Sequence, residues 1–90
     1  MNQETVFDAL RSERRYQDAK WVGHRHSIEE YFVYMEHYMH LLREHCTMKD
    51  FNIPLNKSEA MDIMRKITAL GVACGEEHGM TPRVLARATK

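Results

Sequence analysis

Apolar residues recur along this chain at helical rather than alternating spacing in three stretches, and Gly23 and the Asn52/Pro54 region separate them. The first stretch, about Gln3 to Trp21, has Asn2 as N-cap and sets Val6, Phe7 and Leu10 at helical spacing before a polar, cationic second half. The second has the clearest start signal, because Ser27 followed by Glu30 forms a capping box ahead of a periodic run from Ile28 to about Cys46. Ile28, Phe32, Met35, Met39, Leu42 and Cys46 make its predicted core stripe, and Tyr31, Tyr34, Tyr38 and Leu41 widen it sideways. Between Thr47 and Lys57 the period fails, with Phe51, Ile53 and Leu55 alternating as if pinning a loop. A third helix then starts at Asn56 or Ser58 on the stripe Ile63, Ile67, Leu70 and Cys74, flanked by Ala60 and Met64. Ala69, Gly71, Val72, Ala73 and Gly75 keep its second half slim, which permits close approach by another helix; Gly79 and Pro82 stop it. Thr81 and Pro82 can cap a short fourth helix, Val84 to Ala88, the alternative being a frayed tail.

The expected fold class is therefore all-α: one domain over residues 1–90, three main helices arranged as a hairpin or bundle, and a short C-terminal fourth. The apolar arc of the second helix covers about half its circumference, more than a thin ninety-residue core hides. Completion of the core by a homo-oligomer, a dimer or higher even-numbered assembly, is the expectation.

Thirteen basic and thirteen acidic side chains cancel, so no long-range field draws the chain to a polyanion, and sequence-specific nucleic-acid binding is not expected. Any nucleotide site must be local. Cys46 and Cys74 lack CxxC spacing and read as reduced thiols of a cytoplasmic protein. No apolar run reaches the roughly 20 residues of a membrane span, and no membrane partner is expected.

Three clusters carry candidate chemistry. Glu59 and Asp62, with Lys66 one turn on, share a face that suits a hard divalent cation, although acidic residues in a first turn also simply complement the helix dipole. Glu36, His37, His40 and Glu44 line the polar back of the second helix, as metal ligands or as a solvated stripe. Arg14, Arg15, Lys20, Trp21, His24, Arg25 and His26 combine guanidinium forks, which suit phosphate oxygens, with an indole plane for a base. No glycine-rich phosphate loop or nucleophile elbow is present in the sequence.

The run Ser12 to Trp21, SERRYQDAKW, followed by SIEEYFVYMEHYMHLLREH, resembles the opening of small phage proteins of the MazG-like group, with its ER-x-x-QD-x-KW signature. The segment Ala60 to His78, then Gly79 and Pro82-Arg83, resembles their closing helix and tail. The resemblance implies the all-α nucleoside-triphosphate pyrophosphohydrolase fold, with magnesium held by an EExxE motif and an ExxD motif. Glu59 to Asp62 fits the second motif, whereas the first reduces to Glu36 between Met35 and Met39. Three carboxylates hold a strongly hydrated ion less well than four. The expectation drawn from this is a phage-type nucleotide binder with little or no catalysis, acting on a nucleotide signal of host defence. Arg14, Arg15, Lys20, Trp21, Arg25 and Lys66 would be its ligand contacts. The alternatives are a magnesium-dependent pyrophosphohydrolase using Glu36, Glu59 and Asp62, and an inhibitor that binds a host enzyme through Tyr31, Tyr34 and Tyr38.

Overall fold

The structure, a computed structural model, describes residues 1–46 and 56–84. Three helices make up its order: α1 (Gln3–Lys20), α2 (Ile28–Cys46) and α3 (Lys57–His78). Local chemistry fixes their ends as the sequence predicts. Asn2 Oδ1 accepts from the Thr5 amide at 2.9 Å, and Asn56 Oδ1 accepts from the Glu59 amide at 3.1 Å. At the start of α2 the Ser27 amide donates to Glu30 at 2.7 Å while the Glu30 amide donates to Ser27 Oγ at 3.1 Å, a reciprocal box. These bonds lower the Glu30 carboxyl below its ordinary range, the Ser27 amide contributing most. Gly79 closes α3 at φ +91°, a conformation that L side chains rarely adopt, and its amide donates to the Gly75 carbonyl at 2.8 Å.

α3 lies between the other two. α1 and α2 each pack against it, and the backbones of α1 and α2 do not approach one another. The slim stretch of α3 favours this: Ala69, Leu70 and Ala73 are buried, and Met35 of α2 lies over Gly71, far enough that a Cβ there would meet its Cε at 3.8 Å. All-α is thus the observed class among the described residues.

Two expectations change. The stripe of α2 that meets α3 is Tyr31, Met35, Tyr38 and Leu42, rotated from the predicted one. Tyr31 is 5% exposed and Leu42 8%, whereas Ile28, Phe32 and Met39, expected in the core, are 56%, 62% and 51% exposed. The reason is tertiary. Small residues on α3 leave space for a tyrosine ring, and the Tyr31 hydroxyl finds a carboxylate there, Glu77, at 3.0 Å. The three tyrosines accordingly do not form one exposed docking surface.

The second change concerns α1, which docks through polar side chains rather than through Val6, Phe7 and Leu10. Its buried residues are Glu13 and Gln17. Glu13 accepts from Arg65 Nε at 2.8 Å, and Gln17 reaches the Lys66 carbonyl. Val6 and Phe7 stay 45% and 40% exposed, and Leu10 is half-buried. Residues 81–84 are not helical, and the remainder of the expected fourth helix lies outside the described residues, as do Phe51, Ile53 and Leu55. No described helix is long and apolar enough to cross a membrane.

Candidate functional site

Because α1 and α2 diverge over α3, their side chains bound a crevice with α3 as its floor. Its inner notch, about 50 Å³, is lined by Glu13, Tyr16, Gln17, Lys20, Trp21, Tyr38 and Lys66. Two ammonium groups converge here from positions 46 residues apart. Lys20 Nζ sits 5.9 Å from the centre of the Tyr16 ring and 5.8 Å from that of Trp21, and Lys66 Nζ sits 5.7 Å from that of Tyr38. Each is a cation–π distance, and neither lysine has a carboxylate partner among the described residues.

Trp21 and Gln17 also line a larger cleft of about 300 Å³ with Arg14, Asp18, His24, Arg25, Tyr31 and Glu76. That volume is at the lower end of small-ligand sites, about 300–1,000 Å³. Arg14 lies in it already occupied, its Nη2 2.9 Å from Asp18 and its Nε 3.1 Å from Glu76. Burial works against its charge, but the bonds to Glu76 and Asp18 prevail and raise the guanidinium above its ordinary range. Arg25 and Arg15 are exposed, Arg25 on the cleft and Arg15 on neither lining. Of the six sequence-predicted ligand contacts, the structure therefore gathers Lys20, Trp21 and Lys66 in the notch and sets Arg14 and Arg25 beside it.

The turn that carries Trp21 is tied to the end of α3. Glu77 accepts from the Tyr31 hydroxyl and, at 2.9 Å, from the His26 amide, while His78 Nε2 lies 2.7 Å from the His26 carbonyl oxygen. Burial, and then the hydrogen bond to Glu77, push the Tyr31 hydroxyl up to about 12. His26 is buried, its ring meeting Trp21, Tyr31 and Tyr34 edge to face at 5.6, 5.4 and 5.2 Å, and its Nε2 has no hydrogen-bond partner. Trp21 stacks on Tyr34, centroids 6.1 Å apart and planes 18° from parallel. The indole is thus positioned by a network that sequence reading missed. One local signal pointed to it: Glu76 and Glu77 oppose the dipole in the last turn of α3, and acidic side chains in that place call for a partner elsewhere.

The carboxylates that the alternative, pyrophosphohydrolase reading assigns to magnesium do not gather. Asp62 accepts from Arg65 Nη1 at 2.8 Å, and Glu59 lies 3.7 Å from His45. Glu36 edges a groove on the outside of α2. No group of three metal-ligating side chains exists among the described residues, so these three do not fit a divalent ion. Comparison of the chain with protein-family models, with curated proteins and with solved structures finds no match.

Proposed function

We propose that this protein binds a phosphate-bearing, nucleotide-type ligand in the crevice between α1 and α2 and holds it without turnover. The observation that carries the reading is the convergence of Lys20 and Lys66, two cations without carboxylate partners among the described residues, beside the aromatic rings of Tyr16, Trp21 and Tyr38. The notch has room for a small anion such as a phosphate group, and the adjoining cleft has room for a sugar and base beside Trp21. A lysine donates to phosphate oxygens as a compact point charge, and an aromatic face accepts a base of any sequence. Turnover would need an activated water and a metal or base aimed at phosphorus, and Glu36, Glu59 and Asp62 lie apart. In the phage setting that the resemblance implies, such a binder lowers the free concentration of a nucleotide signal.

Equilibrium titration with ATP, monitored by Trp21 fluorescence and calorimetry, tests the reading. Saturable binding is expected, weakened about tenfold by Lys66→Ala or Lys20→Ala, the size of one lost charge-assisted contact of about 1.5 kcal/mol. Ligand recovered after denaturation should be intact. Appearance of monophosphate and pyrophosphate would reject the binding-only reading in favour of a hydrolase, and the absence of binding to any nucleoside triphosphate would reject both.

A further inference from the structure

Gln17 is 4% exposed and stands in the wall between the notch and the cleft, since it and Trp21 are the residues common to both linings. A carboxamide in such a place has two unlike ends, and its neighbours decide which end faces where. Arg14 Nη1 lies 3.0 Å from Gln17 Oε1. A guanidinium has N–H donors and no acceptor, so only the carboxamide oxygen can face it. The nitrogen is thereby turned the other way, toward α3, where the Lys66 carbonyl oxygen lies 3.5 Å from Nε2. Arg14 lines the cleft and not the notch, whereas Lys66 lines the notch and not the cleft. The oxygen of Gln17 therefore faces the cleft side, and its NH2 group the notch side.

That NH2 group carries two hydrogens, and one carbonyl at 3.5 Å, longer than an ordinary N–H···O bond, takes at most one of them. A donor held out of water without a strong acceptor is a cost that a ligand oxygen removes. The charges beside it suit an anion. Lys20 and Lys66 reach the notch from α1 and α3, and the one carboxylate of its lining, Glu13, is taken by Arg65 Nε at 2.8 Å. Arg14 can hold the carboxamide because it is itself held: Nη2 lies on Asp18 and Nε on Glu76, which leaves Nη1 for Gln17. We infer that Gln17 is a third donor of the notch, beside Lys20 and Lys66, and selects a phosphate-type oxyanion there, with Arg14 acting through it as a positioning residue. The inference rests on the crevice being the ligand site. Arg14 then serves binding without touching the ligand.

Nuclear magnetic resonance of the full chain labelled with nitrogen-15 tests the assignment directly. The chain has two glutamines, Gln17 and the exposed Gln3, and the side-chain NH2 pair lost in Gln17→Met is that of Gln17. Titration with ATP should move this pair along the same saturation curve as Trp21 fluorescence and leave the Gln3 pair in place. Adenosine, which has no phosphate, should leave both in place. Gln17→Met keeps the length of the side chain and loses its donor, so it should bind ATP about tenfold more weakly, the size of one hydrogen bond to a charged group. Arg14→Lys keeps the charge and loses the fork. A carboxamide free to turn offers its nitrogen about half the time, so this variant should bind about twofold more weakly, and should add no further loss to Gln17→Met. A Gln17 pair that stays still while ATP saturates Trp21, or that moves as far with adenosine, overturns the inference and leaves the ligand reading standing; wild-type affinity in Gln17→Met does the same. An equal loss from Arg14→Lys in both backgrounds overturns the role of Arg14. Absence of ATP binding to the wild type overturns the inference and the ligand reading together.

Discussion

Replacing Tyr31 with phenylalanine removes one oxygen from the most buried side chain of α2 and leaves the ring in place. The lost hydroxyl donates to Glu77, and a hydrogen bond to a charged group contributes about 1.5–3 kcal/mol, partly offset by the ease of burying phenylalanine. A deficit of about 1–2 kcal/mol at pH 8 is expected. The pH dependence is the sharper test. In the folded chain the hydroxyl keeps its proton up to about 12, against an ordinary value of 10.0, chiefly through burial and secondarily through the adjacent Glu77 carboxylate. Below pH 10 both folded and unfolded chains hold that proton, and the stabilisation is complete. Between pH 10 and about 12 the unfolded chain releases it first, so stability falls with rising pH. Two units correspond to about 2–3 kcal/mol, enough to close the gap between wild type and Tyr31→Phe. Urea unfolding at fixed protein concentration, followed through the sole tryptophan, Trp21, at steps from pH 8 to 12, measures that gap. A difference between the two proteins that stays constant over this range would refute the reasoning.

Other substitutions test the α3 scaffold. Gly71→Ala places a methyl group at 3.8 Å from Met35 Cε, ordinary contact, so the gain in helix propensity should appear as up to about 1 kcal/mol of added stability in urea unfolding. Leu70→Ala empties a site with no solvent exposure and should cost about 3–5 kcal/mol in the same assay. Arg65→Ala strands the buried Glu13 carboxylate; because Arg65 is a third exposed, about 2–3 kcal/mol is expected, less than for a fully buried pair. The double variant Arg65→Met, Glu13→Gln should recover most of that loss in thermal melts, and a double variant no better than Arg65→Ala would show that the charge was not the cause.

Helix ends were legible in the sequence because they depend on neighbours three or four residues away. Asn2, Ser27 with Glu30, Asn56 and Gly79 each act within one turn, and each is found where the sequence places it, Asn56 being one of the two starts it allows for α3. The phase of α2 was not legible. That helix has two apolar stripes, and the choice between them rests on the slim stretch of α3 and on Glu77, which lies 46 residues from Tyr31. Greasiness alone centred the stripe on Ile28, Phe32 and Met39, whereas shape and one hydroxyl turned it toward Tyr31 and Tyr38, with Met35 and Leu42 common to both. For the same reason the docking of α1 through Glu13 and Gln17 escaped a search for apolar periodicity. In the site, residue type picked out Lys20, Trp21 and Lys66, and the structure brings these three together. It could not tell a lysine without a carboxylate partner from Arg14, whose fork is taken up by Asp18 on its own helix and by Glu76, 62 positions away.

The polar seam between α1 and α3 bears on how the molecule comes apart. α2 is held to α3 by two clusters of close-packed apolar side chains, whereas the principal buried contacts of α1 are a carboxylate bonded to a guanidinium and a carboxamide bonded to a backbone oxygen. Water can replace such bonds one at a time, but it cannot replace dispersion contacts. The amino-terminal rod is accordingly expected to open as a separate cooperative unit, and its amides should trade protons for deuterons well before those in the middle of α3, while the other two helices remain paired.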